Sequence, residues 1–241
     1  MQPILILKTG ETIPSIAEKF GEFDAWIIKG IDVPAIQFQT VSVFQGESLP
    51  PLDSISGVVI TGSPAMVSEK LPWIETSQHY LISALKAGVP MLGICFGHQL
   101  MAQAFGGKVD WNPAGWEIGT TSISLSNEAA EDPLFNTMPV NFKVHATHMQ
   151  SVIDLPPVAT VLAGNPLDNH HAVCFGDNAW GVQFHPEFEE EIMTGYIRDF
   201  FEEISAEGQD PELLLEQISR APEAQSLLKK FAALVLEKSQ A

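Results

Sequence analysis

Short segments rich in aliphatic and β-branched residues alternate with longer stretches whose apolar positions recur at helical spacing. The short segments in the first hundred residues are Ile4 to Leu7, Ala35 to Val43, Gly57 to Thr61 and Val89 to Ile94. Between the last two, Trp73 to Ala87 carries Trp73, Ile74, Leu81, Ile82 and Leu85 close to a 3.6-residue period and stops at Gly88-Val89-Pro90. This pattern predicts a helix crossing between parallel strands. After Gly107 the strand candidates shorten to Gly119 to Leu125, Ala159 to Leu162, Ala172 to Phe175 and Ala179 to Phe184. Asn, Asp, Gly and Pro separate them, which predicts antiparallel pairing in part of this half.

Helix resumes over about Glu189 to Ser205. Two further helical stretches, Pro211 to Arg220 and Pro222 to Glu237, each open on a proline suited to a first turn. In the last of them Leu227, Leu228, Phe231, Leu234 and Val235 form a stripe that predicts packing onto the parent domain. The fold class expected is α/β, a mostly parallel central sheet flanked by helices, with a main domain over residues 1–204 and a C-terminal helical extension over 205–241.

Composition narrows the function classes. The 12 basic and 30 acidic residues give a formal net charge of −18, which opposes attraction to nucleic-acid phosphates and anionic membranes. No nucleic-acid partner is expected. The apolar run near the N-terminus is too short to span a bilayer, and no basic segment precedes it as in a signal peptide. Only two cysteines occur, Cys95 and Cys174, neither with metal-ligand spacing. Free thiols and a cytoplasmic location follow as expectations.

The richest local signal is Met91-Leu92-Gly93-Ile94-Cys95-Phe96-Gly97-His98-Gln99-Leu100, an apolar strand entering Gly-x-Cys-x-Gly and then a helical pattern. Such a turn presents its central residue in a strained conformation while the glycines allow close backbone approach. At a helix start, unsatisfied backbone N–H groups favour a thiolate. The alternative is a buried cysteine acting as a small hydrophobe, which is the better reading for Cys174 between Val173 and Phe175. Trp180-Gly181-Val182-Gln183-Phe184-His185-Pro186-Glu187 then places a histidine and a carboxylate just after a predicted strand. A cysteine nucleophile needs a base that takes its proton and a third group that orients the imidazole, and Pro186 restricts both flanking positions.

The pair G-I-C-F-G-H-Q at 93–99 and G-V-Q-F-H-P-E at 181–187 resembles class I glutamine amidotransferase domains, especially stand-alone proteins similar to the glutaminase part of GMP synthase. That resemblance implies a flavodoxin-like fold and a Cys95, His185, Glu187 triad that forms a γ-glutamyl thioester and frees ammonia. It implies an oxyanion hole from the N–H groups of Phe96 and Ser63, the latter in Thr61-Gly62-Ser63-Pro64, with Gly62 beside the substrate. It further implies substrate contacts from the Gln99 side chain and from the backbone of Thr147, His148, Met149 and Gln150. Relatives often have glycine at the Ser63 position and His-Gly-Asp where this chain reads His148-Met149-Gln150, which departs from a GMP synthase subunit.

No cofactor is implied. His145 and His148 are read as a strand entering a loop without an acidic ligand at metal spacing, and His170 and His171 as an exposed turn, so no metal site is expected. Nothing resembles a synthetase: neither a Ser-Gly-Gly-x-Asp-Ser loop nor a G-x-x-x-x-G-K-[ST] loop occurs. The expected substrate is glutamine or another γ-glutamyl small molecule, and the expected partner, where ammonia is transferred, is a separate synthetase subunit. The rival readings are a stand-alone γ-glutamyl peptidase acting on glutathione-like conjugates and a catalytically silent binding module.

Overall fold

The computed structural model describes residues 2–240. In chain order its elements are β1 (Ile4–Lys8), α1 (Pro14–Phe20), α2 (Phe23–Ile31), β2 (Phe38–Ser42), β3 (Gly57–Ile60), α3 (Pro72–Lys86), β4 (Met91–Ile94), α4 (Phe96–Ala104), β5 (Lys108–Trp111) and β6 (Glu117–Leu125). There follow β7 (Asn141–His148), β8 (Gln150–Asp154), β9 (Thr160–Gly164), β10 (Ala172–Cys174), β11 (Ala179–Val182), α5 (Glu190–Asp199), α6 (Phe201–Ala206), α7 (Pro211–Gln217) and α8 (Pro222–Gln240).

Nine strands form one sheet in the order β2-β1-β3-β4-β11-β10-β9-β6-β7, and β5 pairs with β8 in a separate ribbon. The first five strands of that order run parallel. The rest pair antiparallel. Of the parallel strands, β1, β3, β4 and β11 are buried along their whole length with both faces covered, whereas the edge strand β2 is polar and partly exposed. Ile4 and Ile6 face Ile27 and Ile31 of α2 and Leu227, Leu228 and Phe231 of α8. Leu5 and Leu7 face the side that holds Ile74 and Leu81 of α3 and Leu100 and Met101 of α4.

The C-terminal stripe therefore packs onto the sheet: Leu227, Leu228, Phe231 and Val235 are fully buried. Glycines mark where α8 comes close. A Cβ on Gly30 would lie 2.4 Å from Leu228 Cδ1, and one on Gly57 3.0 Å from Val235 Cγ2.

Several boundaries differ from the sequence pattern. The strand expected from Ala35 begins at Phe38, because Pro34 and Ala35 occupy a turn in which the Ile36 N–H bonds the Val33 carbonyl. The helix expected over Glu189 to Ser205 divides at Phe200, whose ring packs edge-on against Trp116 at 5.4 Å. The segment expected to be a loop after Ala146 is strand on both sides of Met149 alone. Among the described residues, no helix is long and apolar enough to cross a membrane.

Candidate active site

Strand β4 ends against its neighbours β3 and β11, and the chain turns at once into α4. Cys95 is the hinge of that turn, with φ 50° and ψ −102°, a conformation that a side-chain-bearing residue adopts only when the surroundings enforce it. Its N–H donates to the Val182 carbonyl at 2.8 Å, and its own carbonyl accepts from the Gln99 N–H at 3.1 Å.

The flanking glycines are required by contact as much as by flexibility. A Cβ on Gly93 would meet the Gly97 carbonyl oxygen at 2.5 Å, and one on Gly97 would meet the Ile60 carbonyl oxygen at 2.6 Å. Both distances lie well inside van der Waals contact, so Gly-x-Cys-x-Gly is the sequence that lets α4 sit this close to β3 and β4.

Beyond β11 the chain delivers His185 and Glu187. The His185 Nδ1–H donates to Glu187 Oε1 at 2.8 Å, both residues being buried. Burial disfavours the charged imidazole, but the Glu187 carboxylate and the Cys95 sulfur outweigh it and raise the His185 pKa to about 10. Phe188 stacks on the imidazole with centroids 4.1 Å apart, and Phe23 lies on it at 6.2 Å. Gly62 faces the same ring, since a Cβ there would approach His185 Cε1 to 3.0 Å.

Ser63, Cys95, Phe96, Gln99, Thr147 and His185 line one cavity of about 210 Å³. The Ser63 hydroxyl is turned away, donating to the Thr9 carbonyl at 2.8 Å and accepting from the Ala65 N–H at 3.1 Å. Phe96 stands in the first turn of α4, where a helix leaves its N–H groups without intrahelical partners. The cavity thus holds a thiol, an imidazole and a helix N-terminus in one partly apolar space, the arrangement acyl transfer needs.

Across from the nucleophile the corner between β7 and β8 closes the cavity. The Cys95 thiol points at the Thr147 carbonyl, with sulfur and oxygen 3.7 Å apart. Gln99 does not extend freely into the space: its Nε2 donates to the Gln150 carbonyl at 2.7 Å and to Gln183 Oε1 at 3.0 Å. Gln183 in turn donates to Cys95 Sγ at 3.6 Å. Gln183 was not singled out from sequence, although it stands inside the 181–187 motif two residues before His185. Met149 lines the cavity, and Gln150 Nε2 donates to Ser68 Oγ at 2.7 Å.

The histidines require two corrections. His171 is fully buried, not part of an exposed turn, because the β9–β10 connection folds inward and its Nε2 meets Glu117 Oε2 at 3.0 Å. His148 does have an acidic neighbour: its Nε2 lies 3.1 Å from the same Glu117 oxygen. Glu117, His148 and His171 offer donor atoms within 4.8 Å of one another and are the one such group among the described residues whose chemistry suits a small cation. His145 is not part of it. Its Nδ1 pairs with Thr120 Oγ1 at 3.1 Å, and burial, then the charge of His185, lowers its pKa to about 4.

Cys174, on β10, bonds the Gly176 carbonyl, and burial raises its thiol to about 11. Both cysteines are free.

Comparison with known proteins was consistent in family. The family model described as glutamine amidotransferase class-I matches residues 27–204. The chain is 36% identical over 142 residues to the GMP synthase [glutamine-hydrolyzing] of Aeropyrum pernix, a match spanning 59% of this chain and 25% of that protein. It is 31% identical over 145 residues to γ-glutamyl peptidase 3 of Arabidopsis thaliana, covering 59% of this chain and 58% of the peptidase. Both matches therefore leave a substantial part of the relative unmatched. A solved glutamine amidotransferase of Thermotoga maritima superposes with a TM-score of 0.77 at 25% identity, over 98% of this chain and 99% of the other.

Proposed function

Since the chain belongs to the class-I glutamine amidotransferase family, we propose that it hydrolyses a γ-glutamyl amide through Cys95, His185 and Glu187. The supporting observation is the buried His185–Glu187 hydrogen bond of 2.8 Å next to a cysteine held on a strained strand-to-helix turn. His185 takes the thiol proton, and the sulfur attacks the γ-carbonyl carbon. The carbonyl oxygen, now negative, accepts from the N–H groups of Phe96 and Ser63. Collapse breaks the C–N bond as His185 returns its proton to the nitrogen, releasing ammonia or an amine. Water then gives a proton to His185 and attacks the thioester, and glutamate leaves as the thiol re-forms. Glu187 keeps the imidazole oriented throughout.

The corner formed by Thr147, His148, Met149 and Gln150, with Gly62 and Gln99, forms the floor on which the glutamyl portion rests. Ammonia released here passes to an acceptor, held by a separate synthetase polypeptide, in the cytoplasm. A second reading, peptidase action on a γ-glutamyl conjugate, is favoured by the cavity's lining. Phe23, Trp116, Met149, Tyr196 and Phe200 give it an apolar and aromatic surface larger than ammonia uses.

Glutamate release by the purified chain from glutamine and from glutathione, with Cys95→Ala as control, tests both readings. Loss of at least about 10⁴-fold in turnover is expected for Cys95→Ala. Preference for glutathione would select the peptidase. Turnover that survives in Cys95→Ala would rule out both.

A further inference from the structure

The last cross-strand pair of the β6–β7 ladder sets Glu117 directly opposite His148. Past that pair the chain turns at Met149 into β8, so whatever fixes His148 fixes the corner. His148 has oxygen at both ring nitrogens: the Gln150 carbonyl lies 3.0 Å from Nδ1, and Glu117 Oε2 lies 3.1 Å from Nε2. The Ser151 hydroxyl also lies 3.4 Å from Nδ1, so the His148 ring is tied on both sides.

Glu117 is assembled for this task. Its Oε2 also accepts from His171 Nε2 at 3.0 Å, and its Oε1 accepts from Asn165 Nδ2 at 2.6 Å. The three ionisable side chains are at most 5% exposed. Burial works against the Glu117 charge, yet hydrogen bonds from His148 and His171 outweigh it and hold the carboxyl well below the usual range. On the other side, Gln99 Nε2 donates to the same Gln150 carbonyl that His148 grips. One backbone oxygen is thereby held from two sides, by the helix that starts at the nucleophile and by β7, the edge strand of the same sheet.

We propose that Glu117, through His148, is a positioning residue that locks the Thr147–Gln150 corner at the distance from Cys95 which a γ-glutamyl group requires. This rests on the reading of that corner as the glutamyl floor. The Glu117–His148 contact would then act on binding and leave the bond-breaking groups in place. Removing the Glu117 carboxylate leaves the buried His148 and His171 Nε2 atoms without that partner, so the corner should loosen where it meets substrate.

The test uses the full chain with glutamine and with L-γ-glutamyl-p-nitroanilide. Glu117→Ala should raise KM about tenfold or more while kcat stays within about threefold, and Glu117→Asp, which keeps the carboxylate, should recover part of the loss. An unchanged KM, or a fall confined to kcat, would overturn the proposal. Amide hydrogen exchange over residues 146–151 gives an answer independent of turnover. Faster exchange there in Glu117→Ala, with α4 unaffected, is expected, and equal exchange would refute the lock. Should wild-type activity prove independent of Cys95, the functional reading fails while the exchange result still decides the lock. One chelatable zinc per purified chain, lost in Glu117→Ala, would replace the hydrogen-bonded lock with a metal centre.

Discussion

The parallel and antiparallel halves of the central sheet do different work by different means. In the parallel half, the nucleophile and its base sit at the ends of β4 and β11, adjacent strands whose register pairs Ile94 with Val182. Each reactive side chain is set by its own local turn. In the antiparallel half, the corner after β7 is held by side chains from three places, β6, β7 and the β9–β10 connection, meeting at Glu117. One half builds its part of the site from short contiguous motifs, the other from long-range pairing. Perturbations of the two should therefore differ in kind, kinetic chemistry on one side and binding or stability on the other.

Glu187→Gln should give the largest separation. It keeps the shape but loses the charge that orients His185, and kcat on a γ-glutamyl amide should fall about 10²–10⁴-fold with little change in KM. A KM effect as large as the kcat effect would erase the contrast.

Glycine substitutions come next. Gly97→Ala puts a Cβ 2.6 Å from the Ile60 carbonyl oxygen and should destabilise the fold by about 3 kcal/mol. Gly115→Ala, at φ 89° with open space around it, should lose only about 1 kcal/mol of backbone strain. Urea unfolding of both variants measures the difference.

Acid sensitivity should be shared between the halves. Burial lowers the pKa of His98, behind the nucleophile, to about 3, and that of His145, on β7, to about 4. The unfolded chain binds these two protons near pH 6.5 and the folded chain does not. Their contribution is thus complete above about pH 6.5 and is lost as pH falls towards the folded values, at up to about 1.4 kcal/mol per pH unit for each group. Stability measured from pH 7 to pH 4 in wild type and His145→Gln checks this. An unchanged slope in the variant would exclude His145.

The smallest effect should come from Cys174→Ser. Its thiol is held up near 11 by burial, so it should alkylate far more slowly than Cys95 at pH 7.5, and its replacement should leave kcat/KM within about twofold. Mass spectrometry after brief iodoacetamide treatment gives the ranking.

The same division explains what could be read from sequence. Strands β1, β3 and β4 and helix α3 announce themselves because burial on both sheet faces and a single helical stripe leave strong local patterns. The Cys95 turn and the His185–Glu187 pair are legible for the same reason, each lying within a few residues of chain. Phe23, Trp26, Ile27 and Ile31 also fall at helical spacing, so α2 carries a legible signal of its own. The Glu117 cluster carried none: its members are separated by 31 and 23 residues, and only the β6–β7 register brings the first two together. His171, one of a polar Asp-Asn-His-His string, looked like a surface turn because composition does not reveal that its connection folds inward.

The backbone of Cys95 has an evolutionary corollary. A positive φ at a residue with a side chain stores about 1–3 kcal/mol, which glycine would release. Were turnover to stop mattering to the host, selection for foldedness alone would push position 95 towards glycine, and drift would meet no resistance. Cys95→Gly should accordingly be a better-folded and inert chain, suited to trapping uncleaved substrate in the cavity.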